Sequence, residues 1–350
     1  MKSMLNITST LVLLSVVAQG NPVNGALPVK KNVVFEVVLE EGITSKPFLV
    51  IYEKGVDPYD LSDAGKTKIQ PRAGTGNSYI FELKDQSKPL YFSLLLTGYL
   101  MDVTVAREFH FEPGDRIRIN VKKTGVPNIY DLDFSGMGSA KYRCQNEFLY
   151  AMEINTVKAL PELMRDKQYN KDNQTLKYTN LLYELIEKYQ PEMSDYSYHL
   201  LHADVLGNMG KYILSDLQGK LHDQLLKKDT PAFKLLAKDF SDKYKFDFVS
   251  DIPDSVLSDS KEYALFMIEK IKTKVLIDFA IMNYSIVYER IKKINNVALR
   301  DKMMVNLFKY YVDRFHDDHA SMLFDALSLV KNKECLEELK SFIVCSVQQD

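Results

Sequence analysis

A candidate metal-binding cluster lies near the end of the chain, where Asp313, His316 and His319 are spaced three residues apart. On a helix this spacing places the three side chains near one face, and divalent metals bind such sets of imidazole and carboxylate groups. His199 and His202 repeat the spacing. Charged helix surfaces also produce these patterns, so a solvated helix face is the simpler interpretation, and only the first cluster is kept as a metal candidate.

The sequence contains three cysteines, Cys144, Cys335 and Cys345, and no C-x-x-C motif that could form a dithiol redox centre. On a continuous helix Cys335 and Cys345 would lie about 15 Å apart, so they can pair only if the chain turns between them. We therefore expect free thiols that are buried or partly buried. Cys144 follows Arg143 near a predicted helix start, which can activate a thiol, but a buried apolar contact is the simpler interpretation.

No other catalytic constellation is recognisable in the sequence. A G-x-S-x-G motif is absent, and no serine lies in a strand–turn–helix context with a histidine partner. His110 alternates with Phe109 and Phe111 in a predicted strand, so it should point away from those rings and toward solvent. We therefore predict no catalytic residue, no bound cofactor and no enzymatic activity.

The composition limits the remaining classes of protein. Of 350 residues, 46% are hydrophobic and 26% are charged, as expected for a globular chain with a substantial core. The 45 basic and 47 acidic residues give a formal charge of −2, which argues against a nucleic-acid-binding protein. Tyrosine and phenylalanine are plentiful but tryptophan is absent, which weighs against a carbohydrate-binding module.

Residues 1–20 have the pattern of a secretory signal peptide. Lys2 precedes an apolar stretch, and Ala18 and Gly20 provide small residues for cleavage. The alternative is a buried N-terminal strand. The apolar stretch is shorter than the roughly 20 residues that span a bilayer, and no later segment is long and apolar enough to do so. We therefore expect an exported protein of the periplasm or cell envelope without a transmembrane segment.

Residues 28–136 are predicted to form an antiparallel β-sandwich, with an open barrel as the alternative. Apolar residues alternate with polar ones in three segments, 103–105, 109–111 and 117–121. Glu112-Pro113-Gly114-Asp115 separates two of these segments and has the residues of a tight turn. The Gly- and Pro-rich stretch 57–77 is predicted to be a loop.

Residues 139–347 are predicted to form an irregular all-α domain, which makes the fold class α+β. A stripe of apolar residues spaced by threes and fours predicts one long helix. Its members are Ala264, Ile268, Ile271, Val275, Phe279, Met282 and Ile286. Asp259 and Glu262 are predicted to form a capping box at its start, and Thr230 is predicted to cap another helix before Pro231.

The junction between the two predicted domains resembles a known family. The run from Phe134 to Gln145 is similar to an F-S-G-x-G-x-x-K-x-x-C-Q-like run in exported TlpA-like thioredoxin-family proteins of the Bacteroidetes. Phe111–Ile117 resembles their E-P-G-D-x-I turn, and 326–332 resembles the helix before their thioredoxin domain. The resemblance covers most of residues 30–340 and implies a β domain followed by a helical region. The W-C-x-x-C centre of the family is absent from this chain, so no catalytic residue is carried over.

The leading hypothesis is an exported, non-catalytic accessory or binding protein of the cell envelope, corresponding to the region upstream of the thioredoxin domain in TlpA-like proteins. One alternative is a partner-dependent component of a thiol-disulfide redox system, in which a separate thioredoxin-fold protein supplies the dithiol. Another alternative is a protein that binds a glycan or another envelope ligand.

Overall fold

The fold is seen in a computed structural model, which describes residues 30–52, 66–72, 74–98, 101–126, 128–148, 171–243, 252–311 and 319–347. Strands come first along the chain and helices follow, so the predicted α+β class is confirmed. Residues 1–20, the predicted signal peptide, lie outside the described residues.

The described strands form two sheets of four. They are β1 (Lys31–Leu39), β2 (Pro47–Tyr52), β3 (Lys66–Ile69), β4 (Ser78–Gln86), β5 (Leu90–Leu96), β6 (Val103–Phe111), β7 (Arg116–Lys123) and β8 (Tyr130–Met137). The order is β4-β1-β7-β8 in one sheet and β3-β2-β5-β6 in the other. The prediction of a purely antiparallel sandwich is wrong at one pair, because β1 runs parallel to β7. A parallel pair needs a crossover connection, and strands β2 to β6 supply it.

The two sheets pack face to face around an aromatic core. The rings of Phe35 on β1 and Phe92 on β5 are fully buried, and their centroids lie 4.6 Å apart. Buried residues alternate along β1 and β7, as the sequence pattern predicts for strands with one covered face. Strand β3 lies within the stretch predicted to be a loop. That prediction is wrong at Lys66–Ile69, which pairs with β2 by its backbone.

A short helical connection follows the last strand, and longer helices come after it. Helix α1 begins at residue 139 and is described through 148. The others are α2 (Lys171–Tyr189), α3 (Asp195–Leu226), α4 (Thr230–Lys243), α5 (Asp254–Asp259), α6 (Tyr263–Phe279), α7 (Tyr284–Ile291), α8 (Val297–Tyr311), α9 (His319–Leu329) and α10 (Lys333–Val347), with a 3-10 turn at Gln190–Glu192.

The apolar stripe from 264 to 286 covers two helices, so the prediction of one long helix is wrong. Helix α6 ends where Ala280 adopts a left-handed conformation with φ of +54°. Asn283 then caps α7 by accepting a hydrogen bond from the amide of Ile286 at 3.1 Å. Side chains of both helices pack against the same core, and the apolar periodicity therefore continues across the break.

The predicted helix caps are also wrong. Glu262 makes no capping hydrogen bond at the start of α6. The hydroxyl of Ser260 accepts from the amide of Tyr263 there, at 3.1 Å. At the start of α4 the side chain of Asp229, one residue before Thr230, accepts a backbone amide at 3.0 Å. Both helices are capped by a residue close to the predicted one, because several polar side chains near each start can make this bond.

Helix α3 crosses α6 closely at Gly207 and Gly210. A Cβ atom on Gly207 would lie 2.6 Å from a backbone carbon of Glu262, and one on Gly210 would lie 2.5 Å from the ring of Phe266. We expect Gly207→Ala to lower the free energy of unfolding by about 1–3 kcal/mol. Gly219→Ala should raise the free energy of unfolding by about 0.5–1 kcal/mol. A Cβ atom at Gly219 would meet no atom within 4 Å apart from the backbone of its own helix. Urea denaturation of both variants checks this, and equal effects would contradict the close packing.

Candidate functional site

Strand β6 presents a polar face to the helices. Glu108, His110 and Glu112 occupy alternate positions and share this face. The intervening rings of Phe109 and Phe111 are buried in the sandwich. The prediction that His110 faces solvent is wrong, because α1 and α3 cover this face of the strand and the side chain is fully buried. Alternation shows which residues share a face, but it does not show what covers that face.

The turn after β6 carries the central ion pair of the interface between the sandwich and the helices. The predicted turn is confirmed, because the amide of Asp115 donates to the carbonyl of Glu112 at 3.1 Å and Gly114 has a φ of +99°. The ammonium of Lys141 on α1 donates to Glu112 at 3.0 Å and to Asp115 at 2.9 Å. The hydroxyl of Tyr142 donates to Asp115 at 2.6 Å. The ammonium of Lys141 thus binds two carboxylates, and the side chain of Lys141 is only 4% exposed.

His110 extends this network to α3. Its backbone amide and its Nδ1 both face the Oε1 atom of Gln145 on α1, at 3.2 and 3.3 Å. Its Nε2 lies 2.9 Å from the hydroxyl of Ser197 on α3. Ser197 in turn contacts Glu112, as does Ser194, which caps α3. We call these residues, together with Asp115, Lys141 and Tyr142, the junction network.

Burial and the ammonium of Lys141 shift the pKa values of the titratable groups in the junction network. Desolvation lowers the pKa of His110, and Lys141 acts in the same direction while Glu112 opposes it. Desolvation raises the pKa of Glu112, but Lys141 and the hydroxyl of Ser197 outweigh it, so the pKa lies below its usual value. Desolvation outweighs Lys141 at Asp115, and its pKa is raised.

A second buried ion pair joins β6 to the segment before α6. Glu108 lies beside a bulge in the β5–β6 pairing, has a φ of +56° and pairs with Lys261. A left-handed conformation costs a non-glycine residue about 1–2 kcal/mol, and the ion pair offsets part of this cost. Asp204 on α3 lies nearby and accepts hydrogen bonds from Tyr91 at 2.8 Å and from Ser260 at 2.6 Å. Burial raises the pKa of Asp204.

A cavity of about 410 Å³ lies between the sandwich and the helices, and we call it the cleft. Its sandwich wall contains Tyr52 and Tyr91, and α3 contributes Tyr196. At its edge Lys88 and Glu334 form an ion pair at 2.7 Å that joins the sandwich to α10. The wall opposite the sandwich comes from α5, α8 and α10 and includes Ser258, Asp259, Ala298, Lys302, Val305, Asn306, Cys335 and Glu338.

In the wall of the cleft opposite the sandwich, Lys302 and Cys335 have shifted pKa values. Lys302 donates to the carbonyl oxygens of Ser260 at 2.8 Å and Ser258 at 3.3 Å, near the end of α5, and burial lowers its pKa. Burial, and then the charge of Asp301, raises the pKa of Cys335 to about 11. The thiol is therefore protonated near neutral pH and is a poor nucleophile.

Most of the metal cluster predicted from the sequence falls outside the described residues. Asp313, His316 and the side chain of His319 lie outside the described residues, so this candidate metal cluster stays a prediction. His202 on α3 stacks on the ring of Tyr183 with centroids 5.0 Å apart. Within the described ranges, no group of three or more histidine, cysteine or acidic side chains is arranged to hold a metal ion.

The thiol predictions are confirmed where the side chains are described. Cys144 is a free cysteine, fully buried among apolar residues of α1, α2 and α3. Burial raises its pKa, so the alternative of an activated thiol is not supported. Cys335 is free and partly buried. The side chain of Cys345 lies outside the described residues.

Comparison with known proteins gives no family assignment. No protein-family model matches this chain, and no curated protein matches it in sequence. The resemblance to TlpA-like proteins therefore stays a prediction that rests on the junction motifs. In the part of the chain that the structure describes, no helix combines the length and the apolar character that crossing a membrane requires.

Sequence reasoning missed most residues of both sites. One usable signal was the spacing of Glu108, His110 and Glu112, because three titratable groups on one strand face indicate a face that has partners. The cleft offers no such signal. Tyr196, Lys302 and other lining residues come from separate elements, and no local pattern marks residues that meet only in the fold.

Proposed function

We propose that this chain is an exported, non-catalytic binding protein that holds a small polar ligand in the cleft. The observation that carries the proposal is the cavity of about 410 Å³ between the sandwich and the helices. Ligand sites often lie between domains and have volumes of roughly 300–1,000 Å³. Export rests on the predicted signal peptide at residues 1–20.

The lining of the cleft favours an uncharged or zwitterionic ligand. Basic and acidic side chains are equal in number, three of each, so a ligand with net charge would meet as much repulsion as attraction. They are Lys88, Lys302, Lys333, Asp259, Glu334 and Glu338. Tyrosine rings add flat apolar surface beside these polar groups, a combination that suits a neutral saccharide or a short peptide.

The chemistry of the cleft supports binding rather than catalysis. The hydroxyl of Tyr52 is paired with Ser93 at 2.9 Å, and that of Tyr196 donates to Asp259 at 2.9 Å. The first hydrogen bond joins β2 to β5 within the sandwich, and the second joins α3 to α5. The Cys335 thiol is protonated near neutral pH, because burial raises its pKa to about 11. The redox alternative therefore gains no support from this thiol.

A cleft-filling variant tests the proposal. Ala298 is an exposed residue of the cleft wall, and Ala298→Trp places a large ring there without removing a polar contact. Calorimetric titration with neutral disaccharides (maltose, cellobiose and lactose) and with glycylglycine should show saturable binding of at least one probe. We expect Ala298→Trp to weaken that binding at least tenfold.

The matched control is Ala320→Trp, at an exposed alanine on α9 that does not line the cleft. It should bind like the wild type. Binding that survives Ala298→Trp would contradict the cleft as the site, and the absence of binding by all four probes would contradict the ligand class.

A further inference from the structure

We propose that Glu112, Ser197 and His110 share one proton at neutral pH, and that this proton stabilises the contact between the sandwich and the helices. The three groups form a chain in which the serine hydroxyl contacts the carboxylate on one side and the imidazole Nε2 on the other. His110 belongs to β6 and Glu112 directly follows this strand, whereas Ser197 belongs to α3. The chain therefore crosses the interface between the two halves of the molecule.

The first step is the orientation of Gln145. Its Nε2 donates to the carbonyl of Lys141 at 3.1 Å, so its Oε1 is the atom that faces His110. This oxygen already accepts the backbone amide of His110. An amide oxygen has no hydrogen to donate, and Nδ1 of His110 must therefore carry a hydrogen to make its contact.

The second step is the single hydrogen of Ser197. If the hydroxyl donates to Glu112, then Nε2 of His110 must donate to Ser197, which makes the ring an imidazolium. If the hydroxyl donates to Nε2 instead, it has no hydrogen left for Glu112. The contact between Ser197 and Glu112 then requires a protonated Glu112 carboxyl group that donates to the serine oxygen. Each complete arrangement contains one more proton than a neutral imidazole beside a carboxylate.

The third step is the charge of the interface. Without the shared proton, Glu112 and Asp115 bring two negative charges to the single positive charge of Lys141, and one negative charge is left over. With it the network is neutral, which favours burial. Several groups from neighbouring elements face His110 and Glu112. They are Asp115 in the turn before β7, Lys141 and Gln145 on α1, Ser194 at the cap of α3, Ser197 on α3, the Tyr91 ring on β5, and Lys261 before α6.

Burial and the ammonium of Lys141 lower the pKa of His110, and Lys141 with the Ser197 hydroxyl lowers that of Glu112. Groups in direct hydrogen-bonded contact instead take up protons as a unit, and Ser197 provides that contact. In the unfolded chain histidine has a pKa of about 6.5 and glutamate about 4.3, so the shared proton is absent there above pH 6.5. The folded state then binds more protons than the unfolded state. Stability must fall as the pH rises, by about tenfold in the folding equilibrium constant per pH unit.

Nuclear magnetic resonance of the full chain with labelled imidazole nitrogens and glutamate carboxyl carbons tests the proposal. His110→Gln identifies the His110 signals, and His222→Gln, at an exposed histidine, is the control. At pH 7 we expect either an imidazolium at His110 or a protonated carboxyl group at Glu112. A neutral His110 together with an ionised Glu112 in the wild type would overturn the proposal.

Ser197→Ala supplies a second measurement, because it removes the contact without changing either titratable group. The ratio of the folding equilibrium constants of wild type and variant should fall about tenfold per pH unit above pH 6.5. A ratio that is constant or rises with pH would contradict the shared proton.

Discussion

Replacement of Lys141 by methionine is expected to lower the free energy of unfolding by about 3–5 kcal/mol. Methionine keeps the apolar stem of the side chain but removes the ammonium that contacts Glu112 and Asp115. Glu112 and Asp115 then lose the cation that they share. The side chain of Asp115 is only 7% exposed, so water cannot replace the lost partner. Urea denaturation at neutral pH, followed by circular dichroism, measures the change.

Lys88→Met is the matched control for this prediction. The ion pair of Lys88 with Glu334 is equally short, at 2.7 Å, but both side chains are half exposed. Its loss should therefore cost about 1 kcal/mol or less. Equal losses in the two variants would contradict the role given to Lys141.

The loss caused by Lys141→Met should shrink as the pH falls. Burial raises the pKa of Asp115 even beside the ammonium, and without the ammonium it holds this pKa further above the value of about 4 in the unfolded chain. A raised folded-state pKa gives stability that is present at low pH and is lost as the pH rises. Below about pH 4 the Asp115 carboxyl group becomes protonated, and the stabilities of wild type and variant should converge. A loss that does not depend on pH would show that the ammonium acts only through packing.

The division of the chain into strands followed by helices could be predicted, because buried residues recur with a different period in strands and in helices. Buried residues alternate along β1 and β7, and the helical stripe repeats every three or four residues. The break at Ala280 could not be predicted, because α7 continues the apolar periodicity and nothing in an alanine side chain indicates a left-handed conformation. Strand β3 gave no signal because its sequence, KTKI, is mostly polar and only four residues long.

The junction motif could be seen in the sequence, but its physical meaning could not. Gly138 has a φ of +89°, and a Cβ atom there would lie 2.3 Å from the carboxylate of Asp115. Lys141 binds the same carboxylate across 26 positions of sequence, and Gln145 holds His110. Each of these residues serves the contact between the sandwich and α1. The motif at the junction therefore describes how two structural units are joined.

The second large effect is expected from Tyr142→Ala, which should cost about 3–5 kcal/mol. Tyr142 is the side chain that α1 inserts into the sandwich core, where it is fully buried. Its ring stacks on Phe134 with centroids 5.7 Å apart and meets the edge of Phe35 at 6.2 Å. Removing the ring leaves a cavity at the junction. We therefore expect urea unfolding to split into two transitions, one for the sandwich and one for the helices, where the wild type shows one.

Tyr142→Phe separates the ring from the hydroxyl. It keeps the aromatic contacts and loses only the 2.6 Å hydrogen bond to Asp115. A hydrogen bond to a charged group contributes about 1.5–3 kcal/mol, so this variant should be less destabilised than Tyr142→Ala and should keep a single transition. If both variants lost the same free energy of unfolding, the whole effect would come from the hydroxyl. In that case the junction would be held by its polar network alone, and the aromatic contact of α1 with the sandwich would contribute nothing to the coupling of the two halves.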